Sequence, residues 1–314
     1  MLGRTAHSLF WMFRYLERAE NTARILQAGL RMALTRDIQL AEAEWRSILQ
    51  TTGRHEAYEL HNGTYTGMQA WNFILRDKGN PSSVMDMLDA VRNNARTSRN
   101  AISSELWEVI NESWMLVRDM LARPVTQGQV GHVLAAIRRA GTLAHGAMAG
   151  SMLRDEGYHF ARAGTFLERA DSTARILDIK YYLLLPSLSY VGSSLDTGQW
   201  ENILRSVSGD RAYSWLNAGQ IEPRGIVQFM VLDRRFPRSL AFCHDALRDE
   251  LAALARLHRE EGRSNELMRQ ADMRLTDLTV DAIFEQGLHQ FLIDFMATNA
   301  DIANAIGEDY RFLV

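Results

Sequence analysis

Residues 15–26 read YLERAENTARIL, and residues 166–177 read FLERADSTARIL. Nine of the twelve positions are identical at an offset of 151 residues, close to half of the 314-residue chain. Packing alone would keep the apolar positions of a repeated helix, but it does not require the same charged residues in both copies. The repeat therefore predicts two similar helical units, and it directs attention to its charged side chains.

The similarity between the two halves extends beyond this stretch. Residues 45–58 are echoed by residues 200–213 at an offset of 155, and residues 73–83 by residues 229–239 at an offset of 156. The offset increases from 151 to 156 residues along the chain, which indicates small insertions in the loops between matched helices. Gene duplication predicts one domain over 1–314 that contains two repeats, approximately 1–125 and 150–262, and a C-terminal helical extension, 263–314.

Apolar periodicity is helical along almost the whole chain, and the sequence contains only five prolines. We find no convincing alternating pattern of a β-strand. The prediction is an all-α, internally duplicated bundle of roughly ten to thirteen helices with pseudo-symmetric halves. The longest predicted helices cover residues 5–34, 129–152, 157–184, 238–260 and 265–312, the last broken near Leu275.

Two smaller features refine the predicted helices. Ser82-Ser83 and Ser103-Ser104 are placed to cap the helices that follow them. Glycines are frequent within 129–152. Because glycine destabilises a helix interior by about 1 kcal/mol, this segment is expected to pack closely against another backbone or to be interrupted.

Composition and charge bound the class of protein. The net charge of −3 argues against a dedicated nucleic-acid binder, which usually carries a basic face. The sequence contains no run of about 18 uncharged apolar residues, so it does not predict a membrane span. Cys243 is the only cysteine, and the first residues do not resemble a secretory signal, so we expect a cytoplasmic protein.

Helical geometry predicts how the charged residues of the motif are used. Glu20 and Arg24 are four residues apart and can pair within one helix, as can Asp171 and Arg175. Arg18 is rotated by about 100° from its neighbour Glu17, so these two are not expected to pair with each other.

Two interpretations of the repeated motif follow. In the first, the two repeated helices lie against each other in a structural clamp, with Glu17 reaching Arg169 or Arg18 reaching Glu168. In the second, two carboxylates and several arginines converge on a polar cleft that binds an anionic or amide-bearing ligand. Both interpretations can hold together.

Other chemistry has little support in the sequence. A di-iron bundle uses two Glu-x-x-His pairs, and only Glu156-x-x-His159 is present, so no metal is expected. The chain has no phosphate-cradling glycine-rich loop and no nucleophile elbow. If ATP is used, the sequence predicts that another chain binds it.

The whole pattern resembles the bacterial alpha-E family, an all-helical domain with a Glu-Arg motif. The stretches that carry the resemblance are FRYLERAENTARIL, NNARTSRNAISSELWEVIN and MLRDEGYHFARAGTFLERADSTARILDIKYYLL. The family's Gly-Arg before the motif is only partly kept, as Phe13-Arg14 in the first copy and Gly164-Thr165 in the second. The two halves therefore need not be equivalent, and the first is richer in arginine.

The resemblance implies a role beside circularly permuted ATP-grasp proteins, in a peptide or amide ligation system. ATP and Mg²⁺ would be bound by that partner. This chain would bind or activate an acceptor, such as a peptide or an amino acid, either as a catalytic or as an accessory subunit. The predicted catalytic residues are Glu17 and Glu168, and the predicted substrate-binding residues are Arg14, Arg18, Asn21, Arg24, Arg169 and Arg175. The alternative is a non-catalytic scaffold that binds the ATP-grasp protein, and a homo-oligomer is an open possibility.

Overall fold

A computed structural model describes residues 1–33, 38–182 and 193–312. These residues form fifteen α-helices and no β-strand, so the all-α prediction is confirmed. The helices are α1 (Gly3–Ala33), α2 (Ile38–Thr51), α3 (His55–Glu59), α4 (Gly67–Arg76), α5 (Val84–Thr97), α6 (Ser104–Leu121), α7 (Gln127–Ser151), α8 (Glu156–Tyr182), α9 (Ser194–Ser206), α10 (Asp210–Leu216), α11 (Pro223–Val227), α12 (Leu240–His258), α13 (Arg263–Thr276), α14 (Val280–Gln286) and α15 (Leu288–Asp309).

The two helices that carry the repeated motif, α1 and α8, form the centre of the bundle. They pack against each other, and α1 also packs against α5 and α7 while α8 packs against α12 and α15. Their backbones approach closely at Gly164, where an added Cβ atom would lie 2.2 Å from the carbonyl oxygen of Phe10. Glycine at this position therefore sets the separation of the two motif helices.

Serine side chains begin several of the helices, as the sequence predicts. The hydroxyls of Ser83 and Ser103 accept hydrogen bonds from the backbone N–H groups of Asp86 and Leu106, which caps α5 and α6. Ser239 caps α12 in the same way. These bonds satisfy donors that a helix N-terminus leaves unpaired.

The helix count is slightly higher than the predicted ten to thirteen. A five-residue helix, α3, lies where no helix was predicted, and the predicted helix 265–312 is divided into α13, α14 and α15. The second of these breaks lies at Gly287, whose φ of +94° is not helical. Residues 34 and 183–184, the last ones of two predicted helices, lie outside the described residues. The internal duplication and the repeat bounds stay predictions from the sequence.

The glycine-rich helix α7 runs from Gln127 to Ser151 without interruption. A Cβ atom at Gly141 would lie 2.3 Å from a carboxylate oxygen of Glu20, whereas Gly131 and Gly146 face open space. Close packing therefore explains one of these glycines. In the described parts of the chain, no helix is long and apolar enough to cross a membrane.

Candidate functional site

Glu17, from the first copy of the motif, is buried at the interface of α1 and α8. Arg169 on α8 donates two hydrogen bonds to its carboxylate, from Nε at 3.0 Å and from Nη2 at 2.9 Å. Arg238, just before α12, donates a third at 2.9 Å. Asn21 and His145 complete the shell at 3.2 Å each.

Glu168, from the second copy, is enclosed in a related way. Arg18 on α1 donates to both of its oxygens, from Nε at 2.6 Å and from Nη2 at 2.9 Å. Arg14 donates a further hydrogen bond from Nε at 2.9 Å. The two motifs thus exchange ion pairs across the helix interface, Glu17 with Arg169 and Arg18 with Glu168, as the clamp interpretation predicts.

Both glutamates are held in the ionised form. Burial acts to raise the pKa of Glu17, but Arg169 and Arg238 outweigh it and hold the pKa well below its ordinary value. Burial also opposes ionisation of Glu168, and Arg14 and Arg18 keep its pKa lowered. A carboxylate with a depressed pKa is a weak proton acceptor at neutral pH. The geometry therefore gives little support to either glutamate as a general base, and their predicted catalytic role stays untested.

The remaining predicted residues divide between two places. Glu20 accepts two hydrogen bonds from Arg24, at 3.0 and 2.7 Å, and one from Arg238 at 2.7 Å. Arg175, in contrast, donates one hydrogen bond to Asp171 at 2.8 Å and is partly exposed. The pairs four residues apart are present as predicted.

Arg238 is a part of this cluster that the motif itself does not reveal. Its Nη1 atom also donates to the side-chain oxygen of Asn21 at 3.0 Å, so it contacts Glu17, Asn21 and Glu20 together. Only its position next to Ser239, inside the stretch that repeats residues 73–83, marked this region in the sequence.

Three possible metal ligands also lie close together in this cluster, namely Glu17, Glu20 and His145. The two carboxylates already accept hydrogen bonds from the guanidinium groups of Arg24, Arg169 and Arg238. A divalent cation at this position would be repelled by three fixed positive charges. The donor set therefore does not fit a metal ion.

A cavity of about 280 Å³ opens beside the second motif. Its lining includes charged side chains of both motif copies and the hydroxyl residues Thr22, Thr51, Thr52, Ser82 and Ser172. The charged residues in this lining are Arg18, Arg54, Glu168, Asp171 and Arg175. Among the predicted site residues, Arg18, Asn21, Glu168 and Arg175 border the cavity, whereas Arg14, Glu17, Arg24 and Arg169 do not.

Arg54 is a charged residue of this cavity that was not predicted from the sequence. Within the described ranges it forms no ion pair, and its Nη1 atom donates only to the carbonyl oxygen of Gly53, at 3.4 Å. Burial and the positive charges of Arg18 and Arg175 lower the pKa of its guanidinium. An unpaired, partly buried arginine between two other arginines is a favourable place for an anionic group.

The structure defines a class of all-helical domain in which the two central helices exchange buried Glu-Arg pairs. Residues 1–311 match the Alpha-E family, which is described as a predicted alpha-helical domain with a conserved ER motif. The chain belongs to this family.

Two mycobacterial proteins that are named as uncharacterised are similar to this chain. The chain is 26% identical over 270 residues to uncharacterised proteins of Mycobacterium bovis and Mycobacterium tuberculosis. The match covers 80% of this chain but only 30% of each relative. No solved structure matches the chain.

Proposed function

We propose that this chain is the acceptor-binding component of an ATP-grasp-linked amide ligation system. The cavity beside the second motif carries the proposal, because residues of both motif copies border it and Arg54 there has no carboxylate partner within the described residues. A ligand with a carboxylate or phosphate group would neutralise Arg54.

The proposal changes the roles that the sequence suggested for the two glutamates. Glu17 and Glu168 hold α1 and α8 together through Arg169 and Arg18, and they keep those arginines in fixed positions. Binding is then done by Arg54, while the clamp fixes Arg18 and Glu168 at the wall of the same cavity. Preorganised charges cost less free energy to use than charges that must first be ordered.

Two observations support a partner chain for the ATP-dependent step. The sequence contains no glycine-rich phosphate loop. The matched region makes up only 30% of the mycobacterial relatives, so in those proteins the domain is joined to a larger remainder. In this proposal the partner binds ATP and Mg²⁺, activates a carboxylate as an acyl phosphate, and receives the acceptor from this chain.

Reconstitution tests the proposal. A circularly permuted ATP-grasp protein from the same organism would be incubated with ATP, Mg²⁺, and amine and carboxylate substrates, with and without this chain, and product formation would be followed by mass spectrometry. We expect ligation to depend on the chain. Equal ligation in its absence would contradict an acceptor-binding role.

The second candidate function is a non-catalytic scaffold for the ATP-grasp protein. The observation that favours it is the burial of the exchanged pairs Glu17–Arg169 and Arg18–Glu168, which is typical of a register-setting contact. It predicts that the Arg54→Gln variant supports ligation as well as the wild type, since a scaffold needs the clamp but not the cavity.

A further inference from the structure

Two equivalent stretches of the chain place different residues beside the two motifs. Pro81-Ser82-Ser83 precedes α5, and Pro237-Arg238-Ser239 precedes α12. In both, the last serine caps the following helix in the same extended backbone conformation, with ψ of 159° at Ser83 and 156° at Ser239. Ser82 and Arg238 therefore occupy matching positions of the repeat.

Arg238 fills the space beside the first motif. Its guanidinium donates to Glu17 at 2.9 Å, to Asn21 at 3.0 Å and to Glu20 at 2.7 Å. At the offset of 151 residues, these three acceptors correspond to Glu168, Ser172 and Asp171.

All three of the corresponding residues line the cavity, and so does Ser82. The short serine side chain cannot reach them in the way that Arg238 reaches its partners. The cavity is therefore the place that a guanidinium occupies in the other half of the molecule. It presents acceptors that are arranged to bind a cationic nitrogen.

A carboxylate oxygen of the cavity can accept more hydrogen bonds than it does in the structure. Within the described residues, Oε1 of Glu168 accepts one hydrogen bond, from Arg18, whereas Oε1 of Glu17 accepts from Asn21, Arg169 and Arg238. Each carboxylate oxygen has two lone-pair positions. Glu168 can therefore accept a further N–H donor from a ligand.

The turns after α2 and α9 differ in the opposite sense, because here the first half carries the arginine and the second half carries the small residue. Gly53 and Ser208 both have left-handed backbone, with φ of +66° and +55°, and both precede the N-cap of a short helix. That N-cap is Arg54 in the first half and Gly209 in the second. Glu168 keeps Arg14 and Arg18 as partners, and Asp171 keeps Arg175, but neither has a counterpart of Arg238. The open cavity thus combines carboxylates without that additional donor and an arginine without a carboxylate partner in the described residues.

We propose that the cavity binds a zwitterionic α-amino acid, with its ammonium group at Glu168 and Asp171 and its carboxylate at Arg54. The inference rests on the proposed function, for which it names the acceptor class. The ammonium group takes the place that the Arg238 guanidinium holds beside the first motif. The carboxylate supplies the negative charge that Arg54 otherwise lacks.

Three small molecules of similar size separate the contribution of the ammonium group to binding from that of the carboxylate. L-alanine carries both charged groups, propionate lacks the amine, and ethylamine lacks the carboxylate. Isothermal titration calorimetry on the isolated chain is expected to show L-alanine binding at least about tenfold more tightly than either single-charge probe, because each charge-assisted hydrogen bond adds affinity. Equal affinity of L-alanine and propionate would overturn the ammonium position.

Substitution at the matched position tests the site directly. Ser82→Arg places in the cavity the side chain that its repeat counterpart carries, so we expect it to pair with Glu168 and Asp171 and to abolish L-alanine binding without lowering the melting temperature. Ser214→Arg, at an exposed serine on α10, serves as the control. Unchanged L-alanine binding in Ser82→Arg would overturn the proposal.

A second variant, Arg54→Gln, tests the same site if Ser82→Arg does not fold. Arg54→Gln is expected to lower the affinity for L-alanine about tenfold and to leave that for ethylamine unchanged; an unchanged affinity for L-alanine would overturn the carboxylate position.

Failure of this inference is distinguishable from failure of the proposed function. Ligation that requires the chain, without binding of L-alanine, overturns only the amino-acid site, whereas binding without any effect on ligation overturns only the ligation role.

Discussion

Glu17 on α1 and Arg169 on α8 form a two-bond ion pair that is almost wholly removed from solvent. The pair joins the two copies of the repeated motif across the interface of α1 and α8. Removing one member of a buried ion pair is costly, because the other charge is left without compensation.

Loss of the Glu17 charge should destabilise the fold. Glu17→Gln leaves Arg169 and Arg238 facing a neutral amide, and we expect the free energy of unfolding to fall by about 3 kcal/mol. Urea denaturation followed by circular dichroism measures the change. Glu108→Gln, at an exposed position on α6, is the control and should stay within about 0.5 kcal/mol of the wild type. A Glu17→Gln variant as stable as this control would contradict the clamp.

Gly164 and Gly146 should respond to alanine in opposite directions. In Gly164→Ala the new methyl group would collide with the Phe10 carbonyl oxygen, so we expect a loss of about 1–3 kcal/mol of stability. Gly146 lies within α7 and meets nothing within 4 Å, so Gly146→Ala should gain about 0.5–1 kcal/mol from helix propensity. Thermal denaturation of both variants checks the pair, and equal effects would argue against close contact of α1 and α8.

Stability should fall on acidification through His244. Burial lowers the pKa of His244 to about 4 from 6.5, although a hydrogen bond with Asn299 acts in the opposite direction. Between these values the unfolded chain binds the proton and the folded chain does not, so protonation favours unfolding. We expect His244 to account for a loss of up to about 2 kcal/mol between pH 7 and pH 5.

The variant His244→Phe isolates this effect, because it removes the titrating group and keeps a ring beside Phe295. Its free energy of unfolding should depend less on pH over this range than that of the wild type. Identical pH dependence in urea titrations at pH 7, 6 and 5 would show that His244 does not titrate as described.

Removing the Arg54 charge should stabilise the free protein. Its guanidinium lies among the positive charges of Arg18 and Arg175, and its lowered pKa means that folding disfavours the charged form. We expect Arg54→Gln to unfold at a higher urea concentration than the wild type. Arg123→Gln, at an exposed position after α6, should leave the midpoint unchanged. A lower midpoint for Arg54→Gln would mean that Arg54 has a structural partner.

The helical fold was predictable because it depends on local periodicity, and the crossed pairing was one of two interpretations of the repeated motif. The one-residue rotation between Glu17 and Arg18 indicates that each serves a different neighbour, and the structure shows those neighbours on the opposite helix. Serine caps at residues 83 and 103 follow from short-range chemistry in the same way.

The cavity was not predictable, since it depends on residues far apart in the sequence. Arg54 and Ser82 lie outside the motif, and only tertiary packing brings them to the second motif on α8. Arg238 was missed for the same reason. The signal that could have identified it is the mismatch with Ser82 in the repeat alignment, because an arginine replaces a serine where the flanking residues agree.

Steady-state ligation by the proposed ATP-grasp partner, measured as a function of acceptor concentration, tests the central claim most directly. Wild type, Arg54→Gln and the surface control Arg123→Gln would be compared at saturating ATP. The cavity account predicts that Arg54→Gln raises KM for the acceptor about tenfold, with KM for ATP and the Arg123→Gln values unchanged. Acceptor kinetics that are the same in Arg54→Gln and wild type would contradict it.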